Sequence, residues 1–208
     1  DDMYDLLISY INRIENKYIK EITHNLVMEK KDEIMYYPAA KSFHHSIEGG
    51  LLYHLTTMLR VADSIGSIYD AVNTDLLFAG VILHDLEKIN EMDSTELGIV
   101  KEYTFEGTLL GHITMGIKNL EKEAEKLGTP DEIRIMLQHM ILSHHMEPEY
   151  GSPKRPIFLE AEILHHIDTM DARIYDFVNA VENINPGEFS ERVWTLDNRN
   201  IYKPEFDK

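Results

Sequence analysis

The sequence predicts an all-α protein: one helical bundle of about seven helices, with long loops between some of them. Three observations predict it. Apolar residues recur at helical spacing through almost all of the 208 residues. Glycine (11) and proline (7) are too few for a linker-dominated or collagen-like chain, and Pro38, Gly49-Gly50 and Gly128-Thr129-Pro130 punctuate the periodic stretches. The balance of 43% hydrophobic and 27% charged residues is that of a globular domain and argues against disorder.

Taken in order, Leu6, Leu7, Tyr10, Ile11 and Ile14 mark a first amphipathic helix, and Ile19, Ile22 and Leu26 continue its stripe. Pro38 and Gly49-Gly50 precede a third helix over about 51–65. Asn73-Thr74 can cap a fourth, which runs through the apolar stretch to Asp85. The polar segment 91–103 reads as a loop with a short strand or hairpin. Residues 106–127 are helical again, closed by Gly128-Thr129-Pro130, and 131–145 follow. A Pro/Gly loop over 146–156 leads to the last long helix, 157–181, and the tail from Asn185 reads as irregular. In domain terms, N-terminal helices (1–40) pack on a core of 41–184, followed by the tail of 185–208.

Acidic residues outnumber basic ones, 37 to 20, for a formal charge of −17. A generally basic nucleic-acid-binding surface is therefore excluded, although a local basic cleft is not. With no cysteine, disulfide frameworks and thiolate metal sites are excluded. The longest apolar run, 76–83, is too short to span a bilayer and no signal-peptide pattern opens the chain, so a cytoplasmic location is expected. The chain opens on Asp-Asp-Met, which reads as part of a longer protein.

Eleven histidines is a high number for this length, and their placement is informative. Leu51, His54, Met58, Val61 and Ile65 form one helical face on which His54 is the polar member. The run ending Val81-Ile82-Leu83 leads directly into His84-Asp85. Leu109, His112, Gly116 and Leu120 share a face, as do Ile133, Leu137, Met140 and His144, with His145 adjacent. On the last helix Leu164, Asp168, Asp171 and Tyr175 line up beside Ile163, Ile167, Met170 and Ile174. A single histidine on an apolar face is most often a hydrogen-bonded core residue. An isolated buried carboxylate, by contrast, costs several kcal/mol unless paired or metal-bound. Five helices each aiming a His or Asp inward point to one shared polar site. Imidazole and carboxylate donors suit Mn²⁺, Fe²⁺, Co²⁺, Ni²⁺ or catalytic Zn²⁺, and spacing does not choose among them.

The pattern resembles the HD-domain metal-dependent phosphohydrolases: a His, a later His-Asp pair ending a helix, and a distant Asp, here His54, His84-Asp85 and Asp168. Its context is GGLLYH, LLFAGVILHDLEK and AEILHHID. His112 in EGTLLGH and His144-His145 in LSHH resemble the subgroup that holds two metals. FHHSIEGGLLYH, GVILHDLEK, LLGHI, LSHHMEPEYGSPK and PGEFSERVWTLDNRNIYKP together are similar to the YhaM-type 3′→5′ exoribonucleases, from about Tyr4 to Pro204. Members of that family carry an oligonucleotide-binding barrel before the HD domain, so the resemblance implies that this chain is the catalytic part. There are departures. Glu87 stands where the usual run has a small residue, and would either lower the local positive field or point to solvent. Glu149-Tyr150-Gly151-Ser152-Pro153 replaces the Gly-Tyr-Pro signature of cyclic-dinucleotide-cleaving relatives, so that specificity is not supported.

The resemblance implies two divalent ions, Mn²⁺ first among the candidates. Asp85 would bridge them, with His54, His84 and Asp168 on one ion and His112, His144 and His145 on the other. Such a pair, about 3.5–4 Å apart, activates a shared water for in-line attack and leaves a nucleoside 5′-monophosphate. Lys88, three residues after Asp85, would neutralise a non-bridging phosphate oxygen, or is an ordinary exposed lysine paired with Glu87 or Glu91. His44 and His45 are candidates to line a substrate channel, Lys154 and Arg155 to contact phosphates, and Tyr150 to stack on a base. His24, His139, His165 and His166 read as structural or surface residues. The implied partners are 3′ ends of single-stranded RNA or DNA, with no membrane, and a homo-oligomer is compatible. Two rival readings share the ligands: a phosphohydrolase of a small nucleotide, and a non-catalytic nucleotide-binding regulatory module. Such modules typically lose ligands, whereas the set here is complete.

Overall fold

Asn16 divides the first apolar stripe into two helices. In the computed structural model, which describes residues 2–37, 49–94 and 100–206, these are α1 (Asp2–Arg13) and α2 (Lys17–Met28). The Asn16 side chain accepts hydrogen bonds from the amides of Tyr18 and Ile19 and so caps α2. The Asp75 carboxylate takes the amides of Glu15 and Asn16 and ties this corner to a later helix. A single turn, α3 (Lys31–Ile34), follows, and Gly49, at φ +73, starts α4 (Gly50–Ile68). A Cβ on Gly49 would stand 3.2 Å from the Met35 carbonyl oxygen in a conformation that L side chains avoid.

The central element is α5 (Thr74–Leu83), capped by Asn73 as its sequence predicts. Leu76 to Leu83 are all buried, which explains why the run lacks a polar face. Each large apolar side chain so buried contributes about 1.5–3 kcal/mol relative to exposure. After the His-Asp turn come α6 (Lys88–Glu91), β1 (Met92–Ser94) and β2 (Val100–Tyr103), the last two paired antiparallel with Met92 opposite Tyr103. Next are α7 (Phe105–Leu127), closed by Gly128 at φ +60, α8 (Asp131–Ser143) and α9 (Leu159–Glu182). Gly80 lets α8 approach α5 closely, since a Cβ there would meet the Met140 side chain at 2.1 Å. Among the described residues seven helices have ten residues or more, so the all-α expectation holds. None is long and apolar enough to cross a membrane.

The chain divides into two compact units, Asp1–Asp168 and Thr169–Lys208, with the division inside α9. The first holds the core, with Leu7, Ile11, Ile22, Leu55, Leu59, Leu77, Ile82 and Leu164 fully buried. In the second, the tail is not irregular. Strands β3 (Phe189–Val193) and β4 (Arg199–Tyr202) pair antiparallel around Asp197 and Asn198, both in the left-handed region that Asp and Asn tolerate. The ring of Phe189 lies 5.1 Å from that of Tyr202, and the Arg199 guanidinium lies over Phe177. The alternation that marks a strand is weak here because only Ser190 and Ile201 of the paired residues are buried. Met170 and Ile174, expected as members of the apolar set of the last helix, are exposed, whereas Ile163 and Ile167 pack with the core.

Candidate metal centre

Five elements of the first unit deliver the candidate ligands. His54 projects from the first turns of α4, within the buried set Leu51, Leu55 and Met58. His84 and Asp85 follow the last residue of α5, so the stretch that fills the core carries them inward; they are 1% and 2% exposed. His112 comes from α7, His144 and His145 from the end of α8, and Asp168 from α9.

The ring tautomers are set locally. His84 Nδ1 lies 2.7 Å from the carbonyl oxygen of Val81, and His144 Nδ1 lies 2.8 Å from that of Ile141. A carbonyl only accepts, so each Nδ1 carries the proton and each Nε2 keeps its lone pair. Both residues cap a helix C-terminus and bond the carbonyl three residues back, a construction written twice in the chain. His145 Nδ1 bonds the Tyr150 carbonyl at 2.5 Å, and its amide donates to buried Ser152 Oγ. Met146 at φ +66 turns the chain sharply after this pair, while His165 Nδ1 donates to the His144 carbonyl at 2.7 Å.

Four ring nitrogens converge on Asp85. Its Oδ2 lies 3.3 Å from His84 Nε2 and 3.8 Å from His54 Nε2. Its Oδ1 lies 3.4 Å from His112 Nε2 and 3.7 Å from His144 Nε2. Asp168 Oδ1 stands 3.3 Å from His54 Nε2 and 3.9 Å from His84 Nε2. Two groups result: His54, His84, Asp85 and Asp168; and Asp85, His112, His144 and His145. Within each, one donor atom per residue lies within 4.8 Å of all the others. Ligands about 2.0–2.2 Å from one ion stand about 3–3.6 Å apart, so these separations suit coordination. The nitrogens His84 Nε2, His112 Nε2 and His144 Nε2 and the oxygen Asp85 Oδ1 are buried without a hydrogen-bond partner. Four such atoms aimed at one place fit a divalent cation, which would satisfy them together.

Electrostatics favour the ligating forms. Burial pushes the Asp85 carboxyl up, but the Lys88 ammonium and the His84 ring outweigh it and hold it well below the usual carboxylate range. Burial likewise pushes the Asp168 carboxyl up, but its hydrogen bond to His54 and the neighbouring His84 ring hold it below the usual carboxylate range. Burial, then the neighbouring rings, holds His144 well below the ordinary histidine value; burial also lowers His145. Lys88 Nζ bonds Asp85 Oδ2 at 2.7 Å, so its partner is neither Glu87 nor Glu91. Burial alone would lower the Lys88 ammonium, but Asp85 raises it and keeps it charged.

All seven expected ligands, His54, His84, Asp85, His112, His144, His145 and Asp168, meet in these groups, with Lys88 beside them. Tyr150 contributes its backbone carbonyl, and the residue is 72% exposed. Lys154 is exposed, and Arg155 pairs with Glu147 at 2.6 Å. His44 and His45 lie outside the described residues. Glu87 does not point to solvent: it is buried and paired with Lys30 at 3.1 Å. Glu91 holds the backbone and ring of His112, a role the sequence does not signal because the residue stands in a polar segment without periodicity. Nor does the otherwise helical pattern signal the break in α7 at Gly111, φ +71 and ψ 160.

Comparison with known proteins agrees with this geometry. The family model described as HD domain matches residues 51–173. The 3′-5′ exoribonuclease YhaM of Bacillus licheniformis is 46% identical over 208 residues, and that of Bacillus subtilis is also 46% identical over 208. The YhaM of Listeria innocua is 44% identical over 207 residues. All of this chain is covered in each case, and it spans 65% of the length of these relatives. No solved structure matches. The span matched by the family model encloses every residue of the two ligand groups around Asp85, and the chain belongs to the HD domain family.

Proposed function

We propose that this chain is the catalytic part of a metal-dependent 3′→5′ exoribonuclease that releases nucleoside 5′-monophosphates. One divalent ion would be held by His54, His84, Asp85 and Asp168, and a second by Asp85, His112, His144 and His145. The observation that carries the reading is the placement of the Asp85 carboxylate, with each oxygen facing a different group of donors. When bound, two such ions supply Lewis-acid activation of water and of a phosphodiester. Imidazole and carboxylate donors suit Mn²⁺, with Fe²⁺, Co²⁺, Ni²⁺ and Zn²⁺ as alternatives.

The chain's own residues contribute the rest. Val81, Ile141 and Tyr150 carbonyls hold the Nδ1 protons of His84, His144 and His145, leaving each Nε2 as a lone-pair donor. Lys88 brings a cation beside Asp85, where it can offset charge developing on a phosphate. RNA as substrate is supported by the relatives named exoribonucleases. With a net charge of −17, affinity for RNA would come from the centre and from local cations such as Lys154 and Arg155, with Tyr150 offering a ring for stacking.

The test uses a short single-stranded RNA labelled at its 5′ end, incubated with this chain and Mn²⁺, beside a His84→Ala, Asp85→Ala double variant. A descending ladder that vanishes in the variant is expected. Hydrolysis of a free nucleotide with the RNA left intact would assign the site to small nucleotides. Turnover of neither would favour a regulatory module or a catalytic part that acts only with the rest of a longer protein.

A further inference from the structure

Glu91 is aimed at a ligand of the centre rather than at the centre itself. It ends α6, and both its oxygens go to one residue. Oε1 accepts the backbone N–H of His112 at 3.0 Å, and Oε2 lies 3.1 Å from His112 Nδ1. A carboxylate only accepts, so Nδ1 carries the proton, and Nε2 is left as a lone pair 3.4 Å from Asp85 Oδ1. The rings of His84, His144 and His145 are oriented by neutral backbone carbonyls; His112 is oriented by a charged side chain.

The surrounding backbone is arranged for this contact. Gly111, at φ +71 and ψ 160, breaks α7 directly before His112, whose amide goes to Glu91. The Glu91 carbonyl accepts the Thr104 amide at 3.0 Å. A Cβ on Gly107 would come within 2.0 Å of that carbonyl oxygen, so the end of α6 is clasped against the first turns of α7. The short ladder β1–β2 returns the chain between these two helices.

We propose that Glu91 is the positioning residue of the group formed by Asp85, His112, His144 and His145, holding His112 in the orientation and tautomer that ligates through Nε2. This inference rests on the metal-centre reading above. It predicts an unusual order of damage. Glu91→Gln keeps size and one oxygen for the His112 amide, but sets an –NH₂ group against Nδ1. That donor drives the ring proton to Nε2, the atom needed for the ion. Glu91→Ala loses both contacts and leaves either tautomer open. A merely structural Glu91 predicts the reverse order, with Gln tolerated and Ala harmful.

The experiment is calorimetric titration of the full 208-residue chain with Co²⁺, together with the visible absorption of the bound cobalt. The wild type is expected to take two ions. Glu91→Gln should keep one and bind the other about 10–100-fold more weakly, with a changed cobalt spectrum and an unaltered unfolding midpoint in the absence of metal. Its loss should equal or exceed that of Glu91→Ala. Two ions bound by Glu91→Gln with wild-type affinity and spectrum would overturn this inference alone. A wild type that takes up no ion would overturn the metal-centre reading as well.

Discussion

Lys30 and Glu87 form a buried ion pair, Nζ to Oε1 3.1 Å, with side chains only 9% and 4% exposed. Asn90 Nδ2 donates to the other Glu87 oxygen at 2.7 Å. The pair fastens the turn that follows His84-Asp85 to the N-terminal helices, 57 residues away in sequence by the numbering of its members. Removing one partner strands the other in a dry environment, which is where buried pairs become costly. Lys30→Met is therefore expected to lower stability by about 3–5 kcal/mol, read as the urea midpoint. A Lys30→Met, Glu87→Leu double variant should recover most of that loss. Equal stability of wild type and Lys30→Met would contradict this account.

At Gly111 a side chain is disfavoured by the backbone rather than by crowding. Its φ of +71 with ψ 160 belongs to a region used almost only by glycine, and a Cβ there meets only Glu91 Oε1, at 3.6 Å. Gly111→Ala is expected to cost about 1–3 kcal/mol and to weaken the ion held through His112. The ion held through His54 should keep its affinity. Gly128→Ala makes a useful control, since it shares a positive φ with open space but lies away from the centre.

Ligand binding to the folded chain alone raises its stability by mass action. If both groups take Mn²⁺ as proposed, the ion at about 100 times its Kd is expected to add about 2.7 kcal/mol for each site. For a chain of this size that is a rise in Tm of about 5–10 °C. Scanning calorimetry with Mn²⁺ and then with a chelator should show the rise and its reversal. The His84→Ala, Asp85→Ala variant should show neither, because it loses ligands of both groups.

Acid stability has a contribution from α1. Arg13 binds Asp63 through both oxygens, at 2.9 and 2.5 Å, and packs over the rings of Tyr10 and Phe78. The Arg13 hydrogen bonds hold the Asp63 carboxyl below its ordinary value. A carboxylate lowered in the folded state adds stability above its unfolded pKa, about 3.9, and loses it as pH falls through the folded value. Both partners are partly exposed, so the contribution is less than about 1 kcal/mol. Between pH 5 and about 2.5, wild type should lose that much more stability than Asp63→Asn, measured by denaturant titration. Parallel curves for the two proteins would refute the assignment.

The chain's own periodicity determined the helices and the faces that carry the candidate histidines and aspartates, while the grouping of those residues into ligand sets was implied by the resemblance. A helical repeat fixes where a side chain points relative to its own axis, and burial of a carboxylate demands a partner. His54 on an apolar face and His84-Asp85 after eight buried residues could therefore be read directly. The C-terminal caps at His84 and His144 are equally local, each bonding a carbonyl three residues back. Only the tertiary structure decided that Asp85 turns one oxygen to each group, and that Glu91 reaches His112 across a hairpin and a broken helix. It also decided that Glu87 lies inside against Lys30, and that the tail pairs as strands. These are relations between segments distant in sequence, set by packing and backbone breaks, and no period along the chain encodes them.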